Sequence, residues 1–287
     1  MIEGGASRTG AQIEIGSPAS AVTEASGSIV GVVAALAAEG RCLFAGAAPP
    51  GRAVIVMPGV RLCVGGVGAG RATAAGRSLL GVGATALVSW GVAAGLGPAA
   101  LAGTVILASE VGPTGPSDTG SPSDTQRLAR AWVDRLEGCL RGRVPLARGR
   151  LVGTDRILTA VADKRALART GALGADMETA AVAQVARGAG IPWIAVRAVA
   201  DSANVALPPH VMLAVDVVGR IRTIGFIMAL GRHPRECLQL PGLARGFRAA
   251  LTSLRTVAQA AGPALLAPGT AAAGDMLRQT AGSEAVS

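Results

Sequence analysis

Aromatic side chains, acids and histidine are all scarce in this chain, and each shortage removes a class of function. Only 2% of the 287 residues are aromatic, three Phe and three Trp. Single-stranded nucleic acids are gripped by stacking bases on such rings, and no Lys/Arg-rich block is present. The formal net charge of +9 therefore reads as a scattered basic surface without nucleic-acid binding, with anionic lipid the more interesting contact. Of the two histidines, His210 and His233, neither lies in a segment resembling a catalytic strand end, and no GxSxG elbow occurs, which disfavours a serine hydrolase. Four cysteines, Cys42, Cys63, Cys139 and Cys237, stand far apart without a CxxC pair. Neither a metal site nor a disulfide framework is indicated, and the thiols are expected reduced, in or near the core. No GxxxxGK is present, and Gly66-Val67-Gly68-Ala69-Gly70-Arg71 lacks the third glycine of the dinucleotide fingerprint, so ATP and nicotinamide cofactors are not expected.

Long apolar runs are also missing. Ser78 to Ser109 carries no charge and has the length of a membrane span, but Gly81, Gly83, Gly91, Gly95, Gly97, Pro98 and Gly103 cut it into pieces suited to buried parallel strands. Glu3, Glu14 and Glu24 precede the first apolar run, where a secretory leader carries basic residues, and a cytoplasmic location is expected. Half of the chain is hydrophobic, enough for one substantial domain at 28–260, flanked by Gly-, Ser- and Ala-rich tails at 1–27 and 261–287.

Within that domain, Ile29 to Leu36 suits a buried strand, and Ala53 to Met57 with Leu62 to Val67 a hairpin across Pro58-Gly59. Further strands are expected at Ala84 to Ser89, Thr104 to Ala108, Leu146 to Val152 and Trp193 to Val199. Helical spacing marks Arg71 to Leu80, Asp124 to Leu140 and Met177 to Arg187. A last helix carries Leu243, Phe247, Ala250, Leu251, Leu254 and Val257 on one face, with Arg245, Arg248 and Arg255 elsewhere. The alternation predicts an α/β fold.

In a chain poor in acids, Glu39, the Asp176-Met177-Glu178 pair and Asp201 lie beside apolar strands, where carboxylates are costly. Asp201 and Glu39 each follow a strand, and ligands of open α/β sheets bind at strand carboxyl ends. Simple structural roles remain open for each: Glu39 facing solvent, Glu178 or Asp201 capping a helix or turn.

The segments Gly174-Ala175-Asp176-Met177-Glu178-Thr179-Ala180-Ala181, Ile191-Pro192-Trp193 and Arg197-Ala198-Val199-Ala200-Asp201 resemble the signature of the nucleoside phosphorylase and methylthioadenosine/S-adenosylhomocysteine nucleosidase family. Gly66-Val67-Gly68 with Ala74-Ala75, and Trp90-Gly91-Val92-Ala93-Ala94-Gly95-Leu96, are similar to the family's glycine-rich segments. The resemblance implies a three-layer fold with a central mixed twisted sheet flanked by helices, and cleavage of a purine N-glycosidic bond without a cofactor. It further implies that Glu178 holds the ribose hydroxyls, that Met177 packs on the sugar, and that Asp201 contacts the base and protonates it. Glu39 would activate water, and Gly91, Val92 and Ala93 would line the nucleophile side. Val92 stands where phosphorolytic relatives place a Ser or Thr, which favours water over phosphate as co-substrate, although Arg41 is a candidate anion ligand beside Glu39. Ile157 occupies the place where nucleosidases often stack a Phe on adenine.

From Leu207-Pro208-Pro209 through Asp216-Val217-Val218-Gly219-Arg220 the chain resembles the hopanoid-associated branch, which implies adenine release from adenosylhopane, a lipid-linked nucleoside. Peripheral membrane contact through the last helix and a homo-oligomer are expected with it. Soluble purine nucleosides, cleaved by water or by phosphate, and a non-catalytic nucleoside sensor are the alternatives.

Overall fold

The computed structural model describes residues 28–112, 124–208 and 238–268. The element order is β1 (Val30–Ala34), α1 (Ala37–Leu43), β2 (Ala53–Met57), β3 (Val60–Val64), α2 (Ala69–Gly81), β4 (Ala86–Gly95) and β5 (Val105–Ala108). There follow α3 (Asp124–Leu140), β6 (Leu146–Arg148), β7 (Leu151–Gly153), α4 (Val161–Ala168), β8 (Gly174–Asp176), α5 (Thr179–Gly188), β9 (Trp193–Asp201) and α6 (Leu240–Ala261). Seven of the nine strands line up as β2-β3-β1-β4-β9-β5-β6, with β8 pairing β4 and β7. Strands β3, β1, β4 and β9 run parallel. The expected hairpin joins β2 antiparallel to β3, with Gly59 at φ 75° in its turn, a conformation that costs glycine least.

Period-two alternation divides the strands between two cores. Val32, Val88, Trp90, Val196 and Ala198 point to the face covered by α1, α3 and α6, where Trp132, Leu254 and Val257 are buried. Val33, Leu87, Ala195 and Val199 point to the opposite face, against Leu79 of α2 and Val182 and Ala186 of α5. These are the three layers, helices on sheet on helices. On the same alternation Ser89 and Arg197, both fully buried, fall on the α5 side.

From β1 the chain moves outward to β2 and β3, then returns past β1 to β4 and onward to β9. The sheet order thus reverses between β1 and β4, and the crevice beyond their carboxyl ends is the place where such sheets hold ligands.

Several elements differ from the sequence reading. Helix α1, with seven residues, helix α4, with eight, and strand β8, with three, are too short to show a period. The strand expected at Leu146 to Val152 divides at Gly149-Arg150, because β6 joins β5 while β7 turns to β8. Strand β4 runs on to Gly95, its glycines accommodating close neighbours rather than breaking it. The boundary expected at residue 260 falls inside packed structure: Leu265 and Ala267 are buried, and Trp132 Nε1 donates to the Leu265 carbonyl at 2.6 Å. The tail positions 1–27 and 269–287 lie outside the described residues, as do His210, His233 and Cys237.

Among the described residues no helix is long and apolar enough to cross a membrane. The apolar stripe of α6 is spent on the protein's own sheet: Ala250, Leu251, Leu254 and Val257 are buried and Phe247 packs against them. That stripe is therefore not what a peripheral membrane contact would use, since its burial is already satisfied within the fold.

Candidate active site

Glu39 sits in the first turn of α1, just past the end of β1, and is 1% exposed. Its Oε2 accepts from the backbone N–H groups of Ala35 (3.0 Å) and Leu36 (2.8 Å), and its Oε1 from the N–H of Val92 at 2.9 Å. The indole of Trp90 fixes the same turn by donating to the Glu39 carbonyl at 3.0 Å. Burial pushes the carboxyl up to about 7, opposed by the Arg197 charge and the N–H groups of Leu36 and Val92. A base poised near neutrality is what activation of water requires.

Gly91 makes this approach possible. A Cβ there would lie 2.6 Å from Glu39 Oε1 and 2.6 Å from Arg197 Nη1, both far inside van der Waals contact, so the strand passes between carboxylate and guanidinium only without a side chain.

Arg197, on β9, is the centre of a buried polar cluster. Nη2 donates to Ser89 Oγ at 2.7 Å, Nε to Thr179 Oγ1 at 3.1 Å and Nη1 to the Val92 carbonyl at 3.3 Å. It forms ion pairs with Asp176 (3.2 Å) and Glu178 (3.6 Å). Burial alone would favour a neutral guanidine, but the charges of Asp176, Glu178 and Glu39 outweigh it and hold the cation. Asp176 is the cap of α5: Oδ1 accepts from the N–H groups of Glu178 (2.8 Å) and Thr179 (2.6 Å), and Oδ2 from the Thr179 hydroxyl at 2.6 Å. The capping role weighed for Glu178 thus belongs to Asp176.

Glu178 is released from capping. Its Oε1 accepts from the N–H of Gly68 at 2.8 Å, at the start of α2. Burial, with the Asp176 charge, raises its pKa against the pull of Arg197. Met177 beside it is half-buried.

Asp201 ends β9 next to a bulge, where Ala93 pairs with Val199 but Ala94 pairs with Asp201, and bulges re-aim side chains. Its pKa is raised by burial and held down by Lys164, whose ammonium contacts Oδ2. Lys164 also donates to the carbonyls of Val205 (2.7 Å) and Ser202 (3.3 Å). Among the described residues no cluster of His, Cys, Asp and Glu is arranged to hold a metal.

The profile of the phosphorylase superfamily matches residues 18–219. The chain belongs to the phosphorylase superfamily. No curated relative matches the sequence. The chain is similar to the 5′-methylthioadenosine/S-adenosylhomocysteine nucleosidase of Neisseria meningitidis in complex with methylthio-immucillin-A, at 19% identity and TM-score 0.52 over 83% of this chain and 98% of that one. The nucleosidase of Colwellia psychrerythraea bound to adenine gives 17% and 0.54 over 84% and 95%. Futalosine hydrolase of Helicobacter pylori gives 15% and 0.51 over 81% and 97%. At these identities the likeness is one of fold, and it is the mixed α/β fold expected. The superfamily assignment makes the chain an enzyme that cleaves glycosidic bonds.

In this phosphorylase-superfamily member, the structure brings Glu39, Gly91, Val92 and Glu178 around the Arg197 cluster, with Ala93 buried in the same strand. Asp201 lies at the end of the adjacent strand. Ile157 stands in the loop between β7 and α4, 38% exposed. That loop is tied to the residues after Asp201 by the Leu207 N–H, which donates to the Thr159 carbonyl at 2.9 Å. Arg41 is exposed, because residues two apart along a helix point in different directions, and the cation acting on Glu39 is Arg197. The sequence reading singles out neither Lys164 nor Ser89, names Arg197 only within the segment from Arg197 to Asp201, and names Asp176 only as one of its acidic pair, without the capping role it holds. For Arg197 a signal existed, a charge in the middle of the apolar run Trp193 to Ala200.

Proposed function

We propose that this enzyme hydrolyses the N-glycosidic bond of a purine nucleoside, and that the nucleoside is adenosine carried on a hopanoid lipid. Glu39 takes a proton from the attacking water, Glu178 holds the ribose hydroxyls with Met177 against the sugar, and Asp201 supplies the proton with which the base leaves. The transition state is oxocarbenium-like, so the buried carboxylates also stabilise its developing charge.

The observation that carries water over phosphate is the position of Glu39. Its carboxylate already fills the donors an anion would use, the N–H groups of Ala35, Leu36 and Val92, and a second anion there meets like-charge repulsion. The lipid-linked substrate is supported by the sequence resemblance from Leu207 to Arg220, of which everything from Pro209 lies outside the described residues, and by the basic net charge. A homo-oligomer is part of the same reading, and sedimentation of the purified protein checks it.

The test is adenine release from adenosylhopane and from methylthioadenosine, each with and without phosphate, with the sugar product identified by mass. Phosphate-independent release from adenosylhopane is expected. A sugar phosphate as product replaces hydrolysis by phosphorolysis, release from methylthioadenosine alone removes the lipid, and release from neither turns the site into that of a nucleoside sensor.

A further inference from the structure

Helix α4 buries one residue fully, and that residue is charged: Lys164 is 0% exposed. It is also the chain's only lysine, every other basic residue that carries a fixed charge being arginine. All three ammonium protons are used, on Asp201 Oδ2, the Ser202 carbonyl and the Val205 carbonyl. Arginine supplies more donors than lysine and is no worse at holding a carboxylate, but it does not give up its proton. A site that needs only a fixed cation is served by arginine, as the Arg197 cluster is. A site that must release a proton is not.

We propose that Lys164 is a positioning residue that stores the proton Asp201 delivers to the departing purine. This rests on the assignment of Asp201 as the acid made above. Lys164 occupies Oδ2, leaving Oδ1 to the base. As the bond between C1′ and N9 breaks, its electron pair goes to the purine. Asp201 passes a proton to N7 and takes one from the Lys164 ammonium, and the neutral amine recovers its proton from water after the base departs. The proton lost by the attacking water goes to Glu39, so the site returns to its starting state by giving one proton to solvent and taking one up. Within the described residues, Lys164 is the charged group acting on Asp201. Its helix neighbours are Asp163, paired outward with Arg156 at 3.3 Å, and the exposed Arg165, while β4 presents the uncharged Ala94 opposite Asp201.

The ammonium holds a proton behind that of Asp201, on the same carboxylate oxygen, so the pair is a proton source that Asp201 by itself is not once it has ionised. The experiment compares Lys164→Met, Lys164→Arg and Asp201→Asn with wild type on whichever of adenosylhopane, methylthioadenosine and adenosine the wild type cleaves fastest. The second substrate is 4-nitrophenyl ribofuranoside, whose leaving group departs as a stable anion without a proton. For the purine nucleoside, the ratio of kcat/KM in Lys164→Met to that in wild type is expected to be highest at acid pH. It should fall about tenfold per pH unit once Asp201 ionises. Lys164→Arg is expected to fail on the purine while still cleaving the nitrophenyl substrate, for which neither ratio changes with pH. Loss by one common factor on both substrates at every pH makes Lys164 a structural support and overturns the proposal. A ratio that rises with pH also overturns it, because Lys164 then only suppresses protonation of Asp201. Full purine turnover by Asp201→Asn, or no cleavage of any nucleoside by wild type, overturns the acid assignment and this proposal together. Loss in Asp201→Asn beside a flat Lys164→Met ratio overturns this proposal alone.

Discussion

Replacing Glu39 by Gln tests the base through stability and rate at once. The carboxyl rises from an ordinary value of 4.5 to about 7 in the fold, chiefly through burial. Between those two pH values the folded chain binds more protons at this position than the unfolded chain, so stability falls as pH rises. The contribution of the protonated group is fully present below pH 4.5 and is lost as pH passes 7. At roughly 1.4 kcal/mol per pKa unit the loss amounts to about 3 kcal/mol. Glutamine does not titrate, but its amide NH2 must face at least one of the N–H groups that now donate to Glu39, which adds a cost independent of pH. The quantity to measure is therefore the change, between pH 4.5 and 9, in the urea stability difference between Glu39→Gln and wild type. The variant should gain about 3 kcal/mol on wild type over that range. In kinetics, wild-type kcat/KM should decline about tenfold per pH unit below 7, and the variant should lose this limb together with about 10²–10⁴ of the rate. A stability difference that stays constant with pH, or an acid limb near 4.5, refutes the claim that burial has tuned this carboxyl.

Gly91→Ala places a methyl 2.6 Å from Glu39 Oε1 and Arg197 Nη1. A shift in these groups should cost about 1–3 kcal/mol in thermal unfolding and at least tenfold in kcat/KM, whereas wild-type kinetics would show that the two groups need not approach. Arg197→Met leaves Asp176 and Glu178 buried without their cation and should destabilise by about 3–5 kcal/mol in urea titration; a change under 1 kcal/mol contradicts the cluster's geometry. Asp176→Asn and Glu178→Gln should separate structure from binding. The first weakens the cap of α5 by about 1–2 kcal/mol with KM little changed; the second keeps the acceptor for the Gly68 N–H but turns an amide NH2 toward Arg197 in place of the ion-paired oxygen, so it also costs about 1–3 kcal/mol, and it alone raises KM about tenfold.

The strands β1, β5 and β9 were legible because β-branched residues fill them, and α3, α5 and α6 because their apolar residues recur at helical spacing. Helices α1 and α4 escaped because two turns are too few for a period, yet they carry Glu39 and Lys164. The acids of the site were visible as isolated carboxylates beside apolar runs. Their cations were harder to place: Arg197 shows only as a charge inside the apolar run Trp193 to Ala200, with nothing local to name its partners, and Lys164 meets Asp201 from 37 positions away. Strand pairing and the placement of α4 decide that contact, and neither is written in local pattern. For Lys164 the available signal is compositional, a single lysine where the rest of the chain uses arginine.

Under the proposed mechanism, the partners of Glu39 and Asp201 also decide when the enzyme works. That mechanism needs Glu39 ionised while Asp201 still has a proton to give, and burial raises both carboxyls. Left to burial alone, they would lose protons over overlapping ranges, and base and acid would be competent together in only part of the population. The surroundings differ in kind. Glu39 faces N–H donors and a permanent cation, which favour its anion but supply no proton. Asp201 faces an ammonium, which favours its anion and does supply one. The acid function therefore persists at pH values where the base has become fully ionised, and the pH optimum of kcat/KM should lie on the alkaline side of 7. A pH profile with its maximum below 6 would show that the base works at an unshifted carboxyl's pH, and the division of labour between the two carboxyls would fall with it.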